Sequence, residues 1–308
     1  MFRVDSLNST DYAMGLMVAL TWGLGIVFAK AAIDYFPPML LMAIRSTLTA
    51  LVLVWFVKLP KGSLGTIFLI SAVSGTAQFC LTLTGLQHVD ASAAALLMQL
   101  EVPFLVLLGV LLLGERPGLQ KWFGIALTFL GALFIAGEPR FSGAWFYILL
   151  LIGGCVAWAM GQLMVRRLKG IDGITVAGWV AIFAVPQLFA MSAAFETNQL
   201  EAIKSAGWVV WAAVIYLSIG MTVAGYGMWY TLLRRHEVGT VAPFLLLMPV
   251  FSVIGGVVFL GETLTITTIA GGAIIVLGVY FTMRQHALRT PTAPAQPPAT
   301  LTRPAFRS

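Results

Sequence analysis

The sequence predicts an all-α integral membrane protein, with ten transmembrane helices arranged as two inverted five-helix repeats. Three observations carry this prediction. The first is composition. Of 308 residues, 59% are hydrophobic and only 10% are charged, against about 45–50% and about 25% in water-soluble domains. So few charges cannot clothe a surface in water, and the mean hydropathy of +0.94 makes the bilayer the solvent. The second is punctuation by Gly, Pro and charge. It divides the chain into ten apolar runs, most of them close to the ~20 residues that a helix needs to cross ~30 Å of hydrocarbon. The third is internal repetition: Gly114-Glu115, Gly124 and Gly131 recur as Gly261-Glu262, Gly271 and Gly278, each displaced by 147 positions. A soluble enzyme, a nucleic-acid binder and a disulfide scaffold are excluded on the same grounds.

In chain order the spans fall at 12–33, 39–57, 64–86, 91–113, 119–136, 144–164, 174–195, 207–233, 239–260 and 264–283. The first is too long for the apolar core of a signal peptide and nine more follow it, so it is expected to remain in the mature chain. Short connectors at Asp34 to Pro38, Lys58 to Ser63, Gln87 to Asp90 and Gly114 to Gly118 turn the chain tightly; only Glu196 to Ala206 is long and polar. After Met283 come five prolines between Pro291 and Pro304, which predicts a disordered tail over 284–308. The expected organisation is an N-terminal segment 1–11, a first repeat 12–137, a second repeat 142–283 and that tail.

Basic residues orient the spans. With a cytoplasmic N-terminus, fourteen of the eighteen Lys and Arg fall inside, and only Lys30, Arg45, Arg140 and Lys204 fall elsewhere. The positive-inside bias therefore predicts that both termini are cytoplasmic.

The repeat extends beyond glycine. Asp90 and Glu237 share the displacement of 147, while Trp22 and Lys30 recur as Trp158 and Arg166, displaced by 136. The difference of 11 matches the polar stretch 196–206. Each half holds five spans, an odd number, so the second half is expected to lie upside down relative to the first. Inverted repeats suit alternating access, in which two bundles rock about a site near the bilayer midplane.

The same residues carry a resemblance. Trp22-Gly23 with Lys30, Pro37-Pro38, Arg45, Gly114-Glu115-Arg116, Gly225-Tyr226-Gly227, Val241-Ala242-Pro243 and Gly261-Glu262 resemble the drug/metabolite transporter superfamily, EamA type, over about 14–283. Ala77-Gln78-Phe79, Gln99 and Thr231-Leu232-Leu233 are most similar to the bacterial exporters of O-acetylserine and cysteine. Gly25 and Glu101 stand where members of that subgroup tend to carry Asn and Gln. The resemblance implies a ten-helix inverted-repeat fold in the inner membrane that moves small metabolites outward, with Gln99 facing the cavity.

Charges at membrane depth cost several kcal/mol unless paired or hydrated, so each is a functional candidate. Glu101 lies about ten residues into its span, ~15 Å deep at 1.5 Å per residue. Burial there favours its uncharged form, and it is a candidate proton carrier or a structural acid. Arg45 lies six residues into the second span, ~9 Å deep. It could snorkel to the surface, pair with Glu101, or hold a substrate carboxylate bidentately. Lys30 has Asp34 at i,i+4, which predicts a local ion pair.

The amides Gln78, Gln99, Gln162 and Gln187 also seek partners. On an ideal helix Gln99 and Glu101 are about 200° apart and do not share a narrow cavity. Trp22, Trp158, Tyr226, Trp229 and Tyr230 are candidate aromatic walls, with Gln162 one turn after Trp158. Pro103, Pro186, Pro243 and Pro249 fall within spans as hinges or packing kinks. Small-residue patches at Ala91 to Ala95 and Gly271-Gly272 suit close helix approach.

Cys80 and Cys155 sit inside apolar runs and imply no disulfide or metal site. No nucleotide-binding loop and no His-Glu-x-x-His are present, so neither a cofactor nor a metal is expected. The expected function is a secondary transporter, not an enzyme, exporting amino acids of the cysteine/O-acetylserine type. Other amino acids, purine-like metabolites or drugs are the alternative, and a multispanning membrane enzyme is the opposing class. Its partners are a small-molecule substrate and the lipid bilayer, with no nucleic acid and an open oligomeric state.

Overall fold

A computed structural model of the protein describes residues 7–60, 62–168, 171–236 and 241–283. All regular secondary structure among them is helical. In chain order the main helices are α1 (Ser9–Ile33), α2 (Pro38–Leu53), α3 (Leu64–Leu86), α4 (Ala91–Leu113), α5 (Leu119–Ala136), α6 (Trp145–Arg167), α7 (Gly173–Phe195), α8 (Trp208–Trp229), α9 (Pro243–Leu260) and α10 (Ile266–Met283). Nine of the ten are long and apolar enough to cross a bilayer; α2, with 16 residues, is the exception. At 1.5 Å per residue it reaches only ~24 Å. The sequence run 39–57 looked longer because Val54 to Phe56 are apolar, but there the chain leaves the helix and Trp55 is 85% exposed. A short helix, Gln199–Ser205, fills the polar stretch between α7 and α8. The tail 284–308 lies outside the described residues.

Helix ends follow local chemistry. Asn8 caps α1 by accepting the Asp11 N–H at 2.8 Å, and Asp11 returns the bond to the Asn8 N–H at 3.3 Å. This reciprocal arrangement satisfies two orphan donors. At the other kind of end, Gly114 and Gly261 close α4 and α9 with φ of +68° and +67°. Only glycine adopts that backbone without strain.

The backbone repeats as the sequence does. A π-helical stretch interrupts α3 at Ser71–Ala77 and another interrupts α8 at Tyr216–Ala224. Likewise a 3₁₀ segment, Met98–Leu100, precedes the Glu101–Leu113 part of α4, and Ala242–Leu247 precedes Met248–Leu260 in α9. Pro103 and Pro249 fall in the first turn of those restarted helices, where a missing N–H is tolerated.

Packing pairs helices of one half with helices of the other: α5 lies along α10, α2 along α7, α3 along α6, and α1 along α9. The α5–α10 crossing is reciprocal. A methyl group on Gly124 would sit 2.6 Å from the Gly278 carbonyl oxygen, and one on Gly131 would sit 2.6 Å from that of Gly271. Since Gly271 and Gly278 are the 147-displaced counterparts of Gly124 and Gly131, each helix offers the same surface to the other, running antiparallel. This is the symmetry of a two-fold contact between inverted copies. Small residues let the backbones touch where lipid supplies no hydrophobic drive to associate. Outward faces stay apolar, with Leu133, Leu149, Val258 and Ile269 exposed, as a lipid-facing surface requires. Trp55, Phe56 and Trp208 are exposed near helix ends, the level of the aromatic belts.

Two predictions follow from these contacts. Gly278→Leu forces a side chain into the Gly124–Thr128 backbone and is expected to cost about 1–3 kcal/mol, read as a lower melting temperature in detergent; an unchanged melting temperature contradicts the close approach. Asp172 accepts the Thr175 N–H and the Thr175 hydroxyl proton, each at 2.8 Å. The backbone bond chiefly, helped by the hydroxyl and opposed by partial burial, holds its carboxyl below the usual range. Its stabilisation of α7 is therefore fully present above the ordinary carboxylate value of about 4 and is lost as pH falls further. Asp172→Asn should remove that acid-side loss, measured by unfolding at pH 3 against pH 7.

Candidate functional site

Midway along the bundle α1, α2, α4 and α8 bring four predicted residues together. Arg45, on α2, donates from Nη2 to the Thr222 hydroxyl on α8 at 3.1 Å. Its Nη1 lies 3.7 Å from the Met42 sulfur, and its guanidinium carbon lies 5.2 Å from the centre of the Phe79 ring. No carboxylate stands within ion-pair distance of Arg45 among the described residues. So Arg45 neither snorkels outward nor pairs directly with Glu101, two of the three roles open to it from sequence.

Glu101, on α4, is partly accessible and accepts no hydrogen bond among the described residues. Its carboxyl lies within electrostatic range of Tyr226 of α8 and of the Cys155 thiol of α6, and Arg45 lies within that range of Tyr226. Tyr226 is 38% exposed and lies within reach of both charges. Trp22 of α1 stacks beside it at 4.9 Å, with Trp229 6.0 Å from Trp22. The Trp22 indole donates to the Met221 carbonyl at 3.0 Å inside the π stretch of α8. One cation, one acid and two aromatic rings therefore lie near one another, linked through Tyr226.

Other predicted residues are placed differently. Gln78 is 3% exposed, with its backbone against Gly154 of α6, so it is part of the α3–α6 contact. Gln99, Trp158 and Gln162 are partly accessible. The 200° separation expected of Gln99 and Glu101 assumed unbroken α-helix. A 3₁₀ turn at Met98–Leu100 advances about 120° per residue, which leaves the two side chains ~120° apart and no longer on opposed faces. The Tyr230 side chain lies outside the described residues. Gln187 accepts from Thr76 at 2.7 Å, while its amide nitrogen is buried without a partner. Lys30 does not make its expected bond to Asp34. Its ammonium donates to the Leu86 and Gln87 carbonyls at 2.7 and 2.9 Å, satisfying the C-terminal end of α3. Among the described residues no group of His, Cys, Asp or Glu has the spacing to hold a metal.

The two faces of the bundle are tied unequally. Opposite the face where α1 begins, carboxylates hold helix N-termini: Glu196 accepts the Met39 and Leu40 N–H groups at 2.6 and 3.0 Å. Glu262 accepts the Ala91 and Ser92 N–H groups at 2.5 and 3.0 Å and also the Ser92 hydroxyl. These are charge-assisted bonds to first-turn amides, with the helix dipole in their favour. On the face where α1 begins, Glu115, the repeat counterpart of Glu262, pairs with Arg166 at 2.7 Å, and both are well exposed. Asp11 there binds Arg235 at 3.1 Å and His236 at 2.9 Å. None of these carboxylate caps was legible from spacing; only the Gly-Glu repeat marked Glu262. Two open grooves, about 700 and 610 Å³, lie beside the short helix Gln199–Ser205 and its neighbours. They are distant from Arg45 and Glu101 and contain neither.

Comparison with known proteins bears on the family and the fold. The profile of the EamA-like transporter family matches the chain twice, over residues 10–137 and 145–284. A probable amino-acid metabolite efflux pump of Escherichia coli (strain K12) is 27% identical over 89% of this chain and 95% of that protein. A probable terminal-alkyne amino-acid exporter of Streptantibioticus cattleyicolor is 28% identical over 64% of this chain and 66% of its own length. A solved crystal structure at 20% identity superposes with a TM-score of 0.62, covering 89% of this chain and 96% of that one. At that identity it bears on the fold alone.

Glu262→Ala leaves two buried amides and the Ser92 hydroxyl without their acceptor. A loss of about 1–3 kcal/mol is expected, and Ser92→Ala in the same background should add less than it does alone. Full additivity in a melting-temperature cycle would show that the cap is not one unit.

Proposed function

We propose that this chain, which belongs to the EamA-like transporter family, exports small amino-acid-type metabolites across the bacterial inner membrane by alternating access. Cysteine and O-acetylserine are the first candidates. The observation that supports this reading is the proximity, beside Trp22 and Tyr226, of Arg45 and Glu101: among the described residues no carboxylate stands within ion-pair distance of Arg45, and Glu101 accepts no hydrogen bond. Charges left so in a low-dielectric interior are costly. A zwitterion relieves both at once, with its carboxylate on the guanidinium fork and its ammonium toward Glu101. Trp22 and Tyr226 would then bound the substrate's side chain, with Gln99, Gln162 and Trp158 as further polar and aromatic contacts. Two relatives, a probable amino-acid metabolite efflux pump and a probable terminal-alkyne amino-acid exporter, support the same substrate class.

Direction follows from the ends. With both termini cytoplasmic, the face closed by Glu196 and Glu262 is the periplasmic one. In this conformation its helix N-termini are latched, and outward opening requires those carboxylates to release their amides. The reciprocal α5–α10 contact supports two inverted units that can exchange roles. Glu101 is placed to give up or take a proton when an ammonium group arrives or leaves. Coupling to the proton gradient is then chemically available, and facilitated efflux along the substrate gradient is the alternative.

Efflux of labelled L-cysteine from loaded cells tests this reading. Arg45→Ala and Glu101→Gln should each lower the rate at least ten-fold, with membrane abundance unchanged. An unaltered rate in both variants, or overexpression that changes neither retention nor tolerance of any amino acid, would remove the amino-acid assignment. Loss of efflux for drugs or purines instead would favour the alternative class.

A further inference from the structure

Arg45 has five guanidinium N–H donors; among the described residues one reaches an oxygen, at Thr222, and one faces the Met42 sulfur at 3.7 Å. That oxygen is fixed in its role. The Thr222 hydroxyl donates its own proton to the Leu217 carbonyl, five residues back, at 3.0 Å. A Thr in an ordinary helix bonds back three or four residues. The five-residue reach belongs to the π stretch Tyr216–Ala224. With its proton committed, the Thr222 oxygen can only accept, and Arg45 can only donate to it. One turn earlier in the same stretch, fully buried Ser218 shares its single hydroxyl proton between the Val214 carbonyl at 2.8 Å and the Arg45 main-chain carbonyl at 3.3 Å. The π stretch thus grips both the backbone and the side chain of one residue on α2. The Phe79 ring lies 5.2 Å from the guanidinium carbon, which limits swing on the α3 side.

We infer that Thr222 is a positioning residue: it orients the Arg45 guanidinium so that its remaining donors face the transported molecule's carboxylate, making recognition of that carboxylate depend on the π stretch of α8. The inference rests on the proposed role of Arg45 in binding a carboxylate. It also accounts for the π geometry, since such insertions commonly occur at functional sites. Without Thr222 the guanidinium keeps its charge but loses its direction.

The test uses the full-length protein in liposomes, with Thr222→Val as the near-isosteric variant and Thr222→Ser as the conservative one. Thr222→Ala replaces Val if the latter does not accumulate. Two readouts separate the inference from the reading beneath it. The first is the ¹⁵N resonance of the Arg45 guanidinium, assigned with Arg45→Lys. Restricted rotation is expected in wild type and Thr222→Ser and free rotation in Thr222→Val; unchanged rotation in Thr222→Val overturns the positioning role whatever is transported. The second is transport of labelled L-cysteine with cysteamine, its carboxylate-free analogue, as competitor. Thr222→Val should raise KM for L-cysteine about ten-fold, as loss of a bond to a charged group does, with kcat within two-fold and cysteamine inhibition unchanged. Equal losses for both molecules would also overturn it, as a purely structural role predicts. If Arg45→Ala leaves the L-cysteine KM unaltered, the carboxylate reading of Arg45 fails, while the rotation measurement still decides the role of Thr222.

Discussion

Inside hydrocarbon there is no water to satisfy a polar group, so every N–H, C=O and charge must find a partner within the protein. Most of this structure follows from that constraint. The carboxylates of Glu196 and Glu262 lie on first-turn amides of α2 and α4, and the Lys30 ammonium lies on the last carbonyls of α3. In the π stretches, Ser71 and Ser218 bond to main-chain carbonyls on α7 and α2. Arg45 and Glu101 differ from these groups: among the described residues no opposite charge stands within ion-pair distance of either. On the proposed reading a zwitterionic solute fills that gap.

Duplication gives the same constraint two outcomes. Glu262 and Glu115 occupy equivalent positions 147 residues apart. One is withdrawn onto the amides of α4, and the other forms an exposed pair with Arg166. On the proposed alternating-access reading, closing one face and opening the other would exchange the environments of the two copies. The reciprocal glycine contacts of α5 and α10 provide a seam about which such an exchange can occur without new surfaces.

Much of this was legible in the sequence because its causes are periodic and local. Among the described residues nine of the ten apolar runs became helices long enough to cross a bilayer and one a shorter helix, and the Gly114/Gly261 repeat became two left-handed caps with nearly equal φ. What escaped was non-local or broke the expected period. The 3₁₀ turn at Met98–Leu100 rotated Glu101 relative to Gln99, so an ideal helical wheel misjudged their separation. Lys30 looked paired to Asp34 because that bond is local, whereas the better acceptors, the carbonyls of Leu86 and Gln87, are more than fifty residues away. Thr222 carried no signal at all, since a threonine in an apolar span is ordinary until a π insertion turns its hydroxyl toward Arg45.

The central claim is that two incompletely partnered charges halfway through the lipid are there for the cargo. A cryo-EM map of the protein in nanodiscs, collected with and without saturating L-cysteine, tests it most directly. Expected is ligand density with the carboxylate on the Arg45 guanidinium, the ammonium directed to Glu101 and one side against Trp22 and Tyr226. Density bound elsewhere, or Arg45 and Glu101 joined to each other with the ligand present, would contradict it.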